Sequence, residues 1–169
     1  MATALVGKER ELATIGRLLE ELRGEPAAVL IEGEAGIGKT TLWQAALGLA
    51  RERSWRVVAA RPAEPEVRYS YGAARDLLGP LLDETTGALP APQRRAVESA
   101  FLQAERRAYP HAVSAGVLGI LRAAAAAGPV LVGIDDLQWL DAASVRVLEF
   151  ALRRMTAEPL MVLAASRAL

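Results

Sequence analysis

A glycine-rich stretch that ends in a lysine and two threonines is the part of this sequence best suited to chemistry. Its residues are Gly33, Glu34, Ala35, Gly36, Ile37, Gly38, Lys39, Thr40 and Thr41. The first eight match G-x-x-x-x-G-K-[ST], the pattern of a loop that binds phosphate. Glycines at positions 36 and 38 permit positive φ, which lets consecutive backbone N–H groups converge on an anion. We therefore predict a nucleoside triphosphate site, with Lys39 on the β- and γ-phosphates and Thr40 offering its hydroxyl to Mg²⁺.

Two adjacent carboxylates form a second candidate group. Asp135 and Asp136 directly follow the apolar run at 130–134. Mg²⁺ prefers oxygen ligands, and transfer of a phosphoryl group to water needs a residue that orients that water. We assign Asp135 to the metal, beside Thr40, and Asp136 to the attacking water. Because ligands of open α/β sheets lie at the carboxyl ends of the strands, both carboxylates should face the phosphate loop.

Arg167 follows another apolar run, at 160–165, and is a candidate for the same edge of the sheet. A cation there would stabilise the negative charge that develops during phosphoryl transfer. An exposed arginine with no part in the chemistry is the alternative. The candidate catalytic residues are thus Lys39, Asp136 and Arg167, and the candidate metal ligands are Thr40 and Asp135.

Four short apolar runs, each of strand length, must place these residues together. The runs lie at 27–31, 55–60, 129–134 and 160–165. Helical spacing of apolar residues precedes the first run and follows the phosphate loop, and such alternation predicts right-handed βαβ units with parallel strands. Between Pro62 and Pro129 a long helical stretch replaces an immediate third strand. We predict an α/β fold, a three-layer P-loop NTPase with a parallel sheet of four strands and a helical insertion between strands 2 and 3.

Two local features of the helices are also expected. The pair Gly79-Pro80 should kink or split the first inserted helix, because proline removes a backbone donor. Asp141 should cap the helix that follows the two carboxylates. The predicted buried stripe of that helix consists of Val145, Leu148, Leu152 and Met155.

Composition limits the classes of function. The chain has 169 residues with 20 basic and 20 acidic side chains, so we expect one domain, 1–169, without direct contact to nucleic acid or membrane. The absence of cysteine excludes disulfides, Cys-ligated zinc and thiol catalysis. The longest apolar stretch, at 123–134, is interrupted by Gly128-Pro129 and is too short to span a bilayer. We expect a cytoplasmic protein.

Three segments of the sequence together resemble one family. The segments are Leu-Val-Gly-Lys-Glu-Arg-Glu at 5–11, the phosphate loop with Leu42, and Val-Gly-Ile-Asp-Asp-Leu-Gln-Trp-Leu-Asp at 132–141. They look like the N-terminal ATPase domain of the large ATP-binding regulators of the LuxR type. Those regulators belong to the STAND class of signal-transducing NTPases, relatives of the AAA ATPases.

The resemblance implies more than the residues alone do. It places Val6 and Gly7 near an adenine, so it favours ATP or ADP over GTP as the ligand. It also implies that the fourth strand lies between the first and the third. In function it implies ATP binding and slow hydrolysis that switch a larger regulator polypeptide, often through self-association.

The sequence departs from the family pattern at several points. A fifth strand, a lid over the nucleotide and a C-terminal DNA-binding domain are not present, so we expect a chain truncated before the fifth strand. Lys8 stands where the family usually has arginine, which keeps the charge but loses the planar fork. Three other functions stay open: a P-loop small-molecule kinase with its acceptor pocket in the insertion, an AAA-type ATPase of a DNA-handling loader, and a scaffold that binds nucleotide only for stability.

Overall fold

Four parallel strands form the centre of the fold. The computed structural model describes residues 7–22, 24–102 and 109–168. The strands are β1 (Ala27–Gly33), β2 (Arg56–Ala60), β3 (Val130–Ile134) and β4 (Leu160–Arg167). Their order across the sheet is β1-β4-β3-β2, and every neighbouring pair is parallel. β4 therefore lies between the strand before the phosphate loop and the strand that ends in the two carboxylates, as the family resemblance implied.

Helices cover both faces of this sheet. They are α1 (Glu9–Glu21), α2 (Lys39–Glu52), α3 (Gly72–Thr85), α4 (Ala91–Leu102), α5 (Pro110–Ala127) and α6 (Ala142–Leu152). α1 and α2 pack on one face in a core that includes Trp43, Leu131 and Met161. α3 to α6 belong to a second core on the other face, together with Val130 and Val132 of β3. Successive residues of a strand point to opposite faces, so β3 serves both cores. The predicted three-layer α/β architecture is confirmed.

The described part of the insertion between β2 and β3 contains the helices α3, α4 and α5 and two short 3-10 turns. α4 and α5 approach closely where α5 has a glycine. A β-carbon on Gly116 would lie 2.4 Å from Val97 Cγ2 and 3.1 Å from the carbonyl oxygen of Gln93. A side chain at this position would therefore force the two helices apart.

α3 continues through Pro80 without ending, so of the two predicted outcomes the split is wrong and the kink stays a prediction. The missing N–H of proline weakens a helix locally, but tertiary packing supplies most of the stability of a helix in a protein. Leu77, Leu78 and Leu81, on either side of the proline, are almost completely buried. Their burial holds α3 together across Pro80.

α6 is capped by Asp141 as predicted, but its buried face is rotated from the predicted one. Val145 is 42% exposed. The buried residues of the helix are Ala143, Ser144, Val147, Leu148 and Ala151. Because α6 packs closely against α5 and α3, its buried face includes the small residues Ala143, Ser144 and Ala151.

α5 is the one helix of the described chain whose length and composition would allow it to cross a membrane. In the fold it is a core helix, with Val113, Val117, Ile120 and Leu121 completely buried. A buried apolar helix of a globular domain satisfies the same criteria as a membrane span. The helix therefore gives no support for a membrane location.

Candidate functional site

The phosphate loop connects the end of β1 to the start of α2. Gly36 has φ 81° and Gly38 has φ 90°, and α2 begins at the next residue, Lys39. These are the positive φ values that the sequence predicted for the two glycines. Positive φ at these positions is the backbone conformation of anion-binding loops, and the loop leads directly into the positive end of the α2 dipole, an arrangement suited to phosphate.

The Lys39 ammonium lies against the loop itself. Its Nζ donates hydrogen bonds of 2.8 Å to the carbonyl oxygens of both Gly33 and Glu34. The Gly33 carbonyl also accepts a hydrogen bond of 3.1 Å from the backbone N–H of Ala168. The loop lysine and the end of β4 are thereby held at the same carbonyl group.

The side chains of Thr40, at the start of α2, and Asp135, directly after β3, are in contact. Thr40 Oγ1 donates a hydrogen bond of 2.9 Å to Asp135 Oδ2. Asp135 is only 1% exposed, and its other oxygen accepts the backbone N–H of Asp136 at 3.1 Å. A hydroxyl and a carboxylate side by side are hard oxygen donors that suit Mg²⁺, which usually completes its shell with phosphate oxygens and water. The donor set therefore fits the metal that the sequence predicted.

The contact between Thr40 and Asp135 depends on a close approach of α2 to β3. A β-carbon on Gly133 would lie 2.8 Å from Leu47 Cδ2 and 3.1 Å from Trp43 Cζ2. The Trp43 indole is held in place by a hydrogen bond of 3.2 Å from its Nε1 to the carbonyl oxygen of Leu163. Glycine at position 133 thus lets α2 lie close enough to the sheet to bring its first turn to the end of β3.

Asp136 has a left-handed backbone, with φ 54° and ψ 53°. This conformation costs a residue with a side chain about 1–2 kcal/mol, although aspartate tolerates it better than most. The turn lets the chain leave β3 sharply and enter the short 3-10 turn Leu137–Trp139. Strained backbone of this kind is often found at functional sites.

Gln138 joins Asp136 to the end of β4, a contact that the sequence did not predict. Its Nε2 donates a hydrogen bond of 2.8 Å to Asp136 Oδ1. Its Oε1 accepts hydrogen bonds from Ser166 Oγ at 3.2 Å and from the backbone N–H of Arg167 at 3.4 Å. One amide side chain therefore fixes both the candidate water-orienting carboxylate and the backbone of the candidate catalytic arginine, whose own side chain is exposed.

Arg61 is a second residue that the sequence prediction missed. It directly follows β2, and its Nε lies 3.2 Å from Asp135 Oδ2. Nothing in the type or spacing of this arginine pointed to Asp135. Two signals were available: its position directly after an apolar run, and the fit of residues 60–64 to the family pattern, neither of which assigned the arginine a role.

The N-terminal residues of the site are described in part. Val6 lies outside the described residues. Thr41, at the other end of the phosphate loop, lies in the first turn of α2. Gly7 has φ 81°, and its N–H donates a hydrogen bond of 3.1 Å to Glu9 Oε1. A β-carbon on Gly38 would lie 3.6 Å from Lys8 Cε. The Lys8 side chain therefore lies beside the phosphate loop.

A buried carboxylate connects the site to the insertion. Asp141, 3% exposed, accepts hydrogen bonds from five donors at the starts of α3 and α6. They are the backbone N–H groups of Tyr71 (2.9 Å), Ala73 (3.3 Å), Ala143 (3.1 Å) and Ser144 (2.9 Å), and the Ser144 hydroxyl (2.5 Å). Two helix N-termini thus share one negative charge, which their dipoles stabilise.

Tyr71, at the start of α3, is affected by the same environment. Burial raises the pKa of its phenol above the usual value, Arg146 opposes that rise, and the Asp141 charge adds to it. The phenol is therefore neutral at physiological pH.

Residues 4–163 match the family described as the AAA ATPase domain, which is nearly the whole chain. The chain belongs to this family. Its phosphate loop, the carboxylates after β3 and the sheet order are thus parts of an AAA ATPase domain.

This AAA ATPase domain is similar to other proteins in sequence and in fold. It is 28% identical to an uncharacterized protein of Rhizobium meliloti (strain 1021) over 200 residues, which covers 99% of this chain and 19% of that protein. Its fold is similar to that of the Aeropyrum pernix ORC2 protein, solved as ADPNP–ADP complexes, with a TM-score of 0.53, 18% identity and coverage of 99% and 43% of the two chains. AMPPCP-bound DnaA from Aquifex aeolicus matches with a TM-score of 0.46, 16% identity and coverage of 98% and 40%. The chain spans about a fifth of the length of the Rhizobium relative.

Proposed function

We propose that this AAA ATPase domain binds ATP or ADP with Mg²⁺ at residues 33–41 and hydrolyses ATP slowly. The observation that carries the proposal is the 2.9 Å hydrogen bond between Thr40 Oγ1 and Asp135 Oδ2. These residues are 95 positions apart, and the fold joins them at the mouth of a loop with the backbone of a phosphate site. This is the pairing that a Mg²⁺-nucleotide needs.

Each residue has a distinct role in this proposal. Backbone N–H groups of the loop hold the phosphates, and the Lys39 ammonium exchanges its two carbonyl partners for phosphate oxygens. Thr40 and Asp135 hold Mg²⁺, which when bound neutralises part of the phosphate charge. The Asp136 carboxylate orients water for attack on the γ-phosphate, and the Arg167 guanidinium stabilises the charge that develops there.

The expected preference for adenine nucleotides rests on the family resemblance of the N-terminal segment. In the proposal, Val6 and Gly7 contact adenine, and Thr41 contributes to the nucleotide site from the first turn of α2. The position of Lys8 beside Gly38 supports this arrangement, because it brings the chain before α1 to the loop. From the family resemblance of this segment, we expect ATP and ADP to bind more tightly than GTP.

We further propose a biological role as the switch domain of a larger, cytoplasmic transcriptional regulator of the STAND and LuxR type. The low coverage of the Rhizobium relative supports a place in a longer polypeptide. The sequence from Asp135 to Asp141, which resembles that family, supports the class of regulator. In this role residues 1–169 form one domain, and exchange of ADP for ATP changes its self-association rather than its contact with DNA.

Hydrolysis and association together test this function. The purified chain should release phosphate from Mg²⁺-ATP slowly, without an acceptor and without any response to DNA. Asp136→Asn should lower that rate about 10²–10⁴-fold while ATP still binds, because a positioned general base contributes that much. Asp83→Asn, an exposed carboxylate of α3, is the matched control. Sedimentation velocity should show a different association state with a non-hydrolysable ATP analogue than with ADP.

Other outcomes would assign a different function. Turnover that requires a small-molecule acceptor would identify a kinase. Turnover that rises with DNA would identify a DNA-handling loader. Equal stabilisation by ATP and ADP, with no turnover, would identify a scaffold.

A further inference from the structure

Arg61 and Mg²⁺ would use the same oxygen atom. Arg61 Nε lies 3.2 Å from Asp135 Oδ2, the atom that also accepts the Thr40 hydroxyl at 2.9 Å. The pairing of β2 with β3 fixes this contact. The backbone N–H of Asp135 donates a hydrogen bond of 3.1 Å to the carbonyl oxygen of Ala60, the last residue of β2, and Arg61 is the next residue of the chain. The ion pair is a direct result of the pairing of β2 with β3.

The two partners of this ion pair differ sharply in exposure. The Asp135 side chain is 2% exposed and the Arg61 side chain is 56% exposed. A buried carboxylate is costly without a counter-charge. Lys39 does not supply one in this structure, since its Nζ donates to Gly33 and Glu34. Arg61 is the cation paired with Asp135, and it is also the partner with room to move.

We infer that Arg61 is an exchangeable counter-ion, which neutralises Asp135 until Mg²⁺-nucleotide displaces it. The inference rests on the proposed function and specifies how metal loading at that site is regulated. A guanidinium and a dication at one oxygen repel each other, so occupation by either disfavours the other. Arg61 thereby lowers the affinity of the site for Mg²⁺ and stabilises the domain when no metal is bound.

Two measurements on Arg61→Met follow, because methionine keeps most of the aliphatic volume and removes the charge. In EDTA the variant should melt about 2–4 °C below the wild type, since a buried carboxylate loses its partner. In saturating ADP it should bind Mg²⁺ about three- to tenfold more tightly by calorimetry, since the competitor is gone. Arg56→Met is the matched control, because Arg56 is the first residue of β2, the strand that Arg61 follows, and pairs with Glu84 instead of Asp135.

The results separate this inference from the proposed function. Unchanged or weaker Mg²⁺ affinity in Arg61→Met would overturn the inference, and weaker ADP affinity as well would make Arg61 a phosphate ligand. A wild type that binds no nucleotide would overturn the proposed function. In that case a double-mutant cycle of Arg61→Met and Asp135→Asn in EDTA still tests the ion pair. Additive losses of melting temperature would overturn the inference, whereas a smaller loss in the double variant supports the pairing.

Discussion

The amide of Gln138 forms hydrogen bonds through both its nitrogen and its oxygen, and together they link Asp136 to the end of β4. It donates to Asp136 Oδ1 and accepts from Ser166 and the Arg167 N–H. A primary amide can do both because its nitrogen donates and its oxygen accepts. The candidate water-orienting carboxylate and the end of β4 are therefore positioned together by one residue.

Replacement of Gln138 by methionine tests this positioning role. The change keeps the approximate shape of the side chain but removes all three hydrogen bonds. A hydrogen bond to a charged group, such as the one to Asp136, contributes about 1.5–3 kcal/mol. We expect ATP turnover to fall about 10- to 100-fold, with ADP affinity changed less than about twofold. Single-turnover hydrolysis and an ADP titration measure the two quantities.

The conservative variant Gln138→His, which keeps a donor and an acceptor, should recover part of the rate. Equal losses of turnover and of ADP affinity in Gln138→Met would show that the residue supports the loop as a whole and does not position Asp136.

At the scale of elements, α3 and α6 are joined through Asp141. Asp141→Ala removes a helix cap and leaves several buried N–H groups without their acceptor. A lost cap costs about 1 kcal/mol and an unpaired buried donor about 1–3 kcal/mol. We expect the free energy of unfolding in urea to fall by about 2–4 kcal/mol. Asp76→Ala, at an exposed position of α3, should change it by less than about 0.5 kcal/mol; a similarly small effect at Asp141 would contradict this account.

The close contact of α4 with α5 at Gly116 should also contribute to the free energy of unfolding. Gly116→Ala introduces a β-carbon 2.4 Å from Val97 Cγ2 and should destabilise the domain by about 1–3 kcal/mol in urea unfolding. Val97→Ala in the same chain should recover part of that loss, since it removes the nearest atom. Gly48→Ala is the control, because nothing lies within 4 Å of its β-carbon and alanine favours a helix. Stability unchanged by Gly116→Ala would show that the two helices are not tightly packed.

The elements and the site were not equally predictable from the sequence. Apolar runs and the phosphate-loop pattern predicted the strands and the start of α2, because those signals are local. The position of β4 between β1 and β3 came from the family resemblance. The contacts of Arg61 and Gln138 depend on the pairing of β2 with β3 and on the left-handed backbone of Asp136, which no local pattern encodes. Pro80 within α3 shows tertiary packing overriding a local preference.

At the scale of the whole molecule, Glu158 couples stability to pH. Burial alone would raise the pKa of its carboxyl, but hydrogen bonds from the N–H groups of Ala157 and Thr156 and from Arg122 outweigh burial and lower it. A pKa that is lower in the folded protein stabilises the fold above the ordinary value of 4.5, and this stability is lost as pH falls through the folded value.

Glu158→Gln should therefore be less stable than the wild type at pH 7, and the difference should narrow as the pH falls below about 4.5. Urea unfolding of both chains from pH 7 to pH 3 measures this difference. Glu149→Gln, an exposed carboxylate of α6, should show a much smaller change. A difference that is constant with pH would contradict the lowered pKa.

Residues 33–41 and Asp135 should together form one Mg²⁺-nucleotide site. Calorimetric titration of the purified chain with Mg²⁺-ATP, beside Lys39→Ala and the distant control Arg153→Ala, measures whether they do. We predict saturable binding to the wild type and to Arg153→Ala, with weaker binding of Mg²⁺-GTP and loss of binding in Lys39→Ala. Equal heats for the wild type and Lys39→Ala, or tighter binding of GTP than of ATP, would contradict the account.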